Sequence, residues 1–349
     1  MREPTPLHLA LVTDAWSPQV NGVVRTLQRT KAELERLGHQ VDVISPDQFR
    51  TIPCPTYPEI RLALWPGRKV YRELDALKPD AIHISTEGPL GRAARAWCLK
   101  HRLPFTTAYH TRFPEYVAAR FTVPLAWTYA IVRRFHAPAA RVMVATQSIE
   151  SELVARGFSN ISRWTRGVDL ELFHPREQAP LDLPRPIHLY VGRVAVEKNI
   201  GAFLALKLPG SKVVIGDGPQ LATLKAQYPG VHFLGAKYGS DLARHVAAGD
   251  VFVFPSLTDT FGLVMLEAMA CGLPVAAFPV AGPKDVVREG EVGALDWDLA
   301  KAAERALALS GEACRRYAQG FSWEAATRQF LSNLAPVAYG LALIGFFHH

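Results

Sequence analysis

The chain has 349 residues, 49% hydrophobic and 20% charged, enough for two ordinary cores and too apolar for a disordered state. Its formal net charge is +7, and the whole excess lies in residues 1–175, where 23 Lys and Arg face 16 Asp and Glu; residues 176–349 carry 16 of each. A basic half joined to a neutral half predicts two different partners, with an anionic one for the basic half.

The four cysteines, Cys54, Cys98, Cys271 and Cys314, form no C-x-x-C pair. That argues against a zinc site or a disulfide framework and predicts a reducing, cytoplasmic setting. The first apolar run is cut short by Asp14, too early for a signal peptide. The stretch nearest to a membrane span, Leu334–Phe347, is interrupted by Pro336 and falls short of the ~20 residues needed. The expectation is a soluble protein or one peripheral to a membrane.

Along the chain, short apolar runs alternate with amphipathic helical stretches, the pattern of parallel α/β domains. His8–Thr13 reads as a first strand, Val23–Leu37 as a helix closed by Gly38, and Val41–Ser45 as a second strand. The theme continues with Ala81–Ser85 before a helix from Pro89, then Phe105–Tyr109, then Val142–Ala145 before a helix capped by Gly157. Phe173–Pro186 carries four prolines in fourteen residues and reads as a linker. A second series starts at Ile187–Val191 and runs through Lys212–Ile215, Val251–Phe254 and Pro274–Ala277. The predicted organisation is a basic N-terminal domain over residues 1–173, a linker over 174–186, a second Rossmann-like domain over 187–334 and an apolar tail over 335–349.

Several segments carry chemistry. The turn after the first strand, Pro18–Val24, holds one glycine before its helix, Gly22, so the G-x-G-x-x-G fingerprint of a dinucleotide-binding dehydrogenase is absent. His110 lies just beyond a strand end, where open α/β sheets place their sites, although a lone histidine is more often structural. From Arg112 to His136, Arg112, Arg120, Arg133 and Arg134 interleave with Phe113, Phe121, Trp127, Tyr129 and Phe135. This mixture fits an anionic membrane interface, and it equally fits a half-buried helix with snorkelling arginines.

In the second half, Tyr190–Asn199 places Gly192, Arg193 and Lys198 between a strand and a helix start, where two cations suit a pyrophosphate. Gly216–Pro219, with Gly218, is a further glycine turn after a strand. Pro255–Pro274 runs from a strand through a polar turn into a helix opening near Phe261–Gly262, a natural phosphate site. Asp259 and Glu267, eight residues apart, either bracket one ligand or serve as a helix cap and a solvated face residue. The Asp296–Asp298 pair mimics a metal-binding D-x-D, but it directly precedes a helix, so Asp298 reads as an N-cap.

Taken together, YVGRVAVEKN and PSLTDTFGLVMLEAMACGLP resemble retaining GT-B glycosyltransferases, particularly glycosyltransferase family 4 with its E-x7-E signature. The first carboxylate here is Asp259, one methylene shorter than the usual Glu. The resemblance runs from Leu7 to about Leu334 and is strongest to sulfoquinovosyl- and glycosyl-diacylglycerol synthases and to lipid mannosyltransferases. It implies that Glu267 holds the ribose of a nucleotide sugar and that Asp259, with the backbone at Thr260, Phe261, Gly262 and Leu263, holds the sugar. It implies further that Arg193 and Lys198 stabilise the leaving diphosphate, that Gly22, Gly192 and Gly218 lie near the donor, and that His110 contacts the transferred sugar. Arg166, in Arg166–Asp169, stands where the family has Asn. No metal or other cofactor is implied.

The expected partners are a UDP- or GDP-linked sugar, a lipid acceptor such as diacylglycerol, and an anionic membrane surface met by Arg112, Arg120, Trp127, Arg133 and Arg134. A GDP-mannose-dependent mannosyltransferase acting on a glycolipid, phosphatidylinositol or a polysaccharide is the alternative. A basic nucleotide- or lipid-binding protein without transfer activity is the rival from another class. Nucleic acid is not expected, since no RRM, KH or helix-turn-helix pattern is present.

Overall fold

Apolar runs bounded by turn residues become strands buried on both faces, and the amphipathic stretches between them become the covering helices. The computed structural model describes residues 6–19, 21–54, 57–118, 123–176 and 181–339. In the first half the strands are β1 (His8–Val12), β2 (Gln40–Ile44), an antiparallel ribbon of β3 (Thr51–Cys54) and β4 (Tyr57–Ala63), β5 (Ala81–Ile84), β6 (Thr106–Ala108), β7 (Arg141–Val144) and β8 (Ile161–Arg163). All but the ribbon form one parallel sheet, ordered β2-β1-β5-β6-β7-β8. Leu9 pairs with Val41 on one side and Ala81 on the other.

The second half repeats the architecture with β9 (Ile187–Val191), β10 (Ser211–Ile215), β11 (His232–Phe233), β12 (Val251–Phe254), β13 (Val275–Ala277) and β14 (Gly293–Leu295). Its sheet is parallel, ordered β11-β10-β9-β12-β13-β14, with an apolar core on each face. Two Rossmann-like units therefore face one another. Between them, residues 174–176 and 181–186 of the proline-rich segment hold no helix or strand, while residues 177–180 lie outside the described residues.

The C-terminal helix Trp323–Asn333 does not stay with the second unit, although the sequence division placed residues up to 334 there. Phe330 and Leu334 enter the core of the first sheet beside Leu9, Leu27 and Trp164. Arg36 pairs with Glu324 at 2.9 Å, and Ala81 bridges to Pro336. An amphipathic helix announces that it has a buried face, but not which sheet will bury it. Residues 340–349 of the apolar tail lie outside the described residues. Among the described residues, no helix is long and apolar enough to cross a membrane.

Candidate active site

Strand order reverses between β1 and β5 in the first sheet and between β9 and β12 in the second. Loops leaving such a pair diverge and open a crevice, the usual ligand site of open α/β sheets. After β9 come Gly192, Arg193 and a 3-10 turn, Val196–Lys198; after β12 come residues 255–262 and the helix Leu263–Ala270. Bonds that join these loops include Lys198 Nζ to Asp259 Oδ1 at 2.5 Å, Asn199 Nδ2 to the Pro255 carbonyl at 3.0 Å, and Thr258 Oγ1 to the Glu197 carbonyl at 3.2 Å. Arg193 reaches Glu197 at 3.3 Å, and the Tyr190 hydroxyl donates to the Arg193 carbonyl at 2.7 Å. Lys198 ends a 3-10 turn rather than opening a regular helix, because Asn199 takes a left-handed φ of 50° before the short helix Ile200–Leu204.

Gly262 is the N-cap of the Leu263–Ala270 helix, with a φ of 82°. A Cβ there would lie 2.8 Å from Met265 Cε and 3.0 Å from Phe254 Cζ, so any side chain would be strained and crowded. The helix start therefore has no side-chain cap, which leaves N–H groups and a partial positive charge at the end of the loop after β12. Asp259 is not the cap; its Oδ1 is bound to Lys198 and its buried Oδ2 has no partner among the described residues. Phe261 is packed in the core, and Leu263 is partly buried against that core. Gly218 belongs to packing of a different kind: a Cβ there would meet the Val194 carbonyl at 2.3 Å. At Gly22 an added Cβ meets none of the described residues within 4 Å beyond its own helix backbone and chain neighbours.

Glu267 is not a solvated face residue either. Its carboxylate is nearly buried, with Oε1 2.8 Å from Arg25 Nη2 and Oε2 without a partner among the described residues. Burial pushes its pKa up, and the Arg25 charge opposes that push. Arg25 sits on the helix Gly22–Arg36 of the first unit, so this ion pair spans the two units. The same helix pairs Arg29 with Asp169 and Arg36 with Glu324. Its N-terminus is capped by Asn21, whose Oδ1 accepts from the N–H groups of Val23 and Val24 at 3.0 Å.

His110 follows β6 and is held from both units. Thr260 Oγ1 donates to its carbonyl at 2.8 Å, and Arg166 Nη2 lies 3.3 Å from its Nδ1. Burial first, and the Arg166 charge second, hold its imidazole well below the ordinary 6.5. Thr260 thus ties the loop that carries Asp259, held by Lys198, to His110 of the first sheet, while Glu267 meets Arg25 across the two units. Arg25, Asn21 and Arg166 escaped the sequence reading as site residues. An arginine three positions after a loop glycine looks like any solvated helix residue until the partner helix is in place.

The basic-aromatic stretch divides. Arg112 is not part of an exposed face: its guanidinium is paired with Glu152 and mostly buried. Arg120 and Phe121 lie outside the described residues. On the helix Leu125–His136, Thr128, Tyr129, Val132, Phe135 and His136 turn inward. Trp127 and Ile131, one turn apart, are 69% and 62% exposed, and Arg133 and Arg134 are exposed beside them. Arg133 also donates to the Arg156 carbonyl at 2.9 Å. Of the two DWD readings, Asp298 is the N-cap, accepting from Ala300 N–H at 3.2 Å.

Comparison with known proteins identifies the family. Residues 20–172 match glycosyltransferase family 4, and residues 185–311 match the glycosyl transferases group 1 family. The sulfoquinovosyl transferase of Arabidopsis thaliana is 31% identical to this chain, over 88% of it and 69% of the relative. The chain belongs to glycosyltransferase family 4. A GDP-mannose-dependent alpha-mannosyltransferase of Mycobacterium tuberculosis is likewise 31% identical, over 83% of each. The alpha-monoglucosyldiacylglycerol synthase of Acholeplasma laidlawii is 26% identical over 77% of this chain and 79% of that one. Among solved structures, sucrose-phosphate synthase from Thermosynechococcus elongatus superposes with a TM-score of 0.72 at 24% identity, covering 93% of this chain and 97% of that one, and shares the GT-B fold. The protein is a glycosyltransferase, with the Lys198–Asp259 and Arg25–Glu267 pairs at its crevice.

Proposed function

We propose that this glycosyltransferase moves a hexose or hexuronic acid from a UDP-linked sugar to a membrane lipid such as diacylglycerol, with retention at the anomeric carbon. The observation that carries the reading is the crevice itself. Two carboxylates, Asp259 and Glu267, each keep a buried oxygen without a partner among the described residues, beside Lys198, Arg193 and an uncapped helix start. Free carboxylate oxygens suit the hydroxyls of a ribose and a sugar, and the cations with the helix start suit the diphosphate between them.

In the proposed reaction the bond between the anomeric carbon and the diphosphate oxygen breaks, and the nucleoside diphosphate leaves with the electron pair. The acceptor hydroxyl oxygen attacks the same face and forms the new bond, while its proton passes to the departing phosphate oxygen. Lys198 would exchange Asp259 for the developing negative charge, the step at which fixed electrostatics contributes most. Arg193 and the helix start do the work a metal would otherwise do, so the reaction needs none, and transfer should survive EDTA.

The basic first unit would rest on an anionic membrane through Trp127, Ile131 and Arg134, with a peripheral location at the inner face. That reading is supported by the exposed aromatic and basic residues on one helix and by the lipid named in the Acholeplasma laidlawii relative. The GDP-mannose-dependent relative favours a second reading, transfer of mannose from GDP-mannose. Incubation with lipid extract and each labelled nucleotide sugar in turn separates the two. UDP or GDP should raise the melting temperature while NAD and oligonucleotide should not; failure of every nucleotide sugar to label any lipid or glycan would overturn the proposal.

A further inference from the structure

We infer that Arg166 is a positioning residue that fixes His110 in one neutral tautomer, with the proton on Nε2, so that the ring serves the bound sugar as a hydrogen-bond donor and never as a base. The inference rests on the sugar-transfer reading for what His110 touches, but not for the state of the ring.

A guanidinium has donors and no acceptor. Arg166 Nη2 stands 3.3 Å from His110 Nδ1, so Nδ1 must present its lone pair, and a neutral imidazole then carries its hydrogen on Nε2. The guanidinium cannot easily turn away. Arg166 is 4% exposed, its Nη1 donates to the carbonyls of Trp164 at 2.5 Å and Thr165 at 3.0 Å, and it lies 4.2 Å over the Trp164 ring. Burial draws it down to about 9, which still leaves it cationic at neutral pH. The histidine is fixed as firmly: Trp164 meets its ring edge-on at 5.5 Å, and Thr260 holds its carbonyl.

The other titratable groups facing His110 do not offer it a second proton. His83 is held neutral by burial, down to about 3, and its Nδ1 is bonded to Thr106 Oγ1 at 2.9 Å. His136 is committed to Thr107 at 2.8 Å and to Glu87 at 3.1 Å. Among the described residues no carboxylate bonds to the His110 ring, and its Nε2 is buried without a partner. An Nε2–H in that position donates to a hydroxyl oxygen of the sugar. It cannot take the acceptor's proton, which leaves the donor phosphate oxygen as the destination.

The test begins on the free enzyme with ¹⁵N-labelled histidine. Long-range ¹H–¹⁵N correlation should show His110 with unprotonated Nδ1 and protonated Nε2, unchanged from about pH 5.5 to 8, the range in which an ordinary histidine titrates. An Nδ1–H tautomer, or an imidazolium in that range, overturns the inference whatever the enzyme transfers. Arg166→Met should move both nitrogens toward averaged shifts; an unchanged tautomer removes Arg166 from the role. Should Arg166→Met not fold, His110→Gln and His110→Asn decide, because a Gln amide nitrogen falls near Nε2 and an Asn one near Nδ1. The Gln variant should keep about tenfold more kcat than the Asn variant, as expected for one retained neutral hydrogen bond; equality or reversal overturns it. Failure of the sugar-transfer reading itself would show as no product with any donor, leaving the tautomer result standing.

Discussion

Arg25 and Glu267 form a 2.8 Å ion pair between a helix of the first sheet and a helix of the second, and the carboxylate is the buried partner. Burial raises the Glu267 pKa, and the Arg25 charge pulls it back in part, favouring the carboxylate form. Without Arg25, the proton should stay on Glu267 to higher pH. Arg25→Met is therefore expected to move the acid limb of kcat/KM for the donor upward, with a defect that shrinks as pH rises. A pH-independent loss would show that Arg25 acts by some route other than the charge of Glu267.

Glu267→Gln should separate function from stability. Its folded-state pKa lies above the unfolded one, so the ionised group subtracts from stability, and the loss accrues as pH rises through the window between the two values. Gln removes that burden, and Arg25, 40% exposed, can be solvated without its partner. We expect transfer to fall by about 10²–10³-fold, the usual cost of losing one placed polar group at a reacting centre. The melting temperature at pH 7.5 should stay level or rise. A sharp drop in melting temperature would make Glu267 structural instead.

Lys198 and Asp259 meet at 2.5 Å in the crevice and are both partly exposed. Their side chains are only 24% and 17% exposed, so removing the lysine takes the charge partner from a largely buried carboxylate. Lys198→Ala should lower kcat by about 10²–10³-fold through lost stabilisation of the diphosphate, and lower the melting temperature as well. Asp259→Asn should mainly raise the donor KM, since the lysine remains. Single-turnover and steady-state kinetics on the two variants check the split.

The pattern of strands and helices was legible because apolar runs and turn residues state local geometry directly. The motif loops were legible as well, since Gly192–Lys198 and Asp259–Glu267 sit beside strand ends in the sequence itself. What escaped were the contacts between residues far apart along the chain. Arg25 lies 242 positions before Glu267, and Arg166 lies 56 after His110; only the folded chain brings either pair together. Arg112 failed for the same reason, because the Glu152 that removes it from the surface is on a different helix. The sequence could pair Trp127 with Arg134 on one helix, but not foresee that Trp127 and Ile131 would both face outward.

That outward face carries the remaining prediction. A Trp side chain left in water gives up about 1.5–3 kcal/mol of burial, which a bilayer interface can restore, and each nearby basic residue adds about 1 kcal/mol on an anionic surface. Trp127→Ala should weaken binding to phosphatidylglycerol vesicles by about tenfold or more. Arg134→Glu, which replaces an attraction by a repulsion, should weaken it further at low salt and converge with wild type at 0.5 M NaCl, where screening shortens the reach of both charges. Neither residue touches the crevice contacts described above, so the thermal shift produced by UDP or GDP should be unchanged in both. Flotation with neutral and anionic vesicles measures this directly, and equal binding of wild type and both variants would place the membrane contact, and with it the excess charge, elsewhere on the first unit.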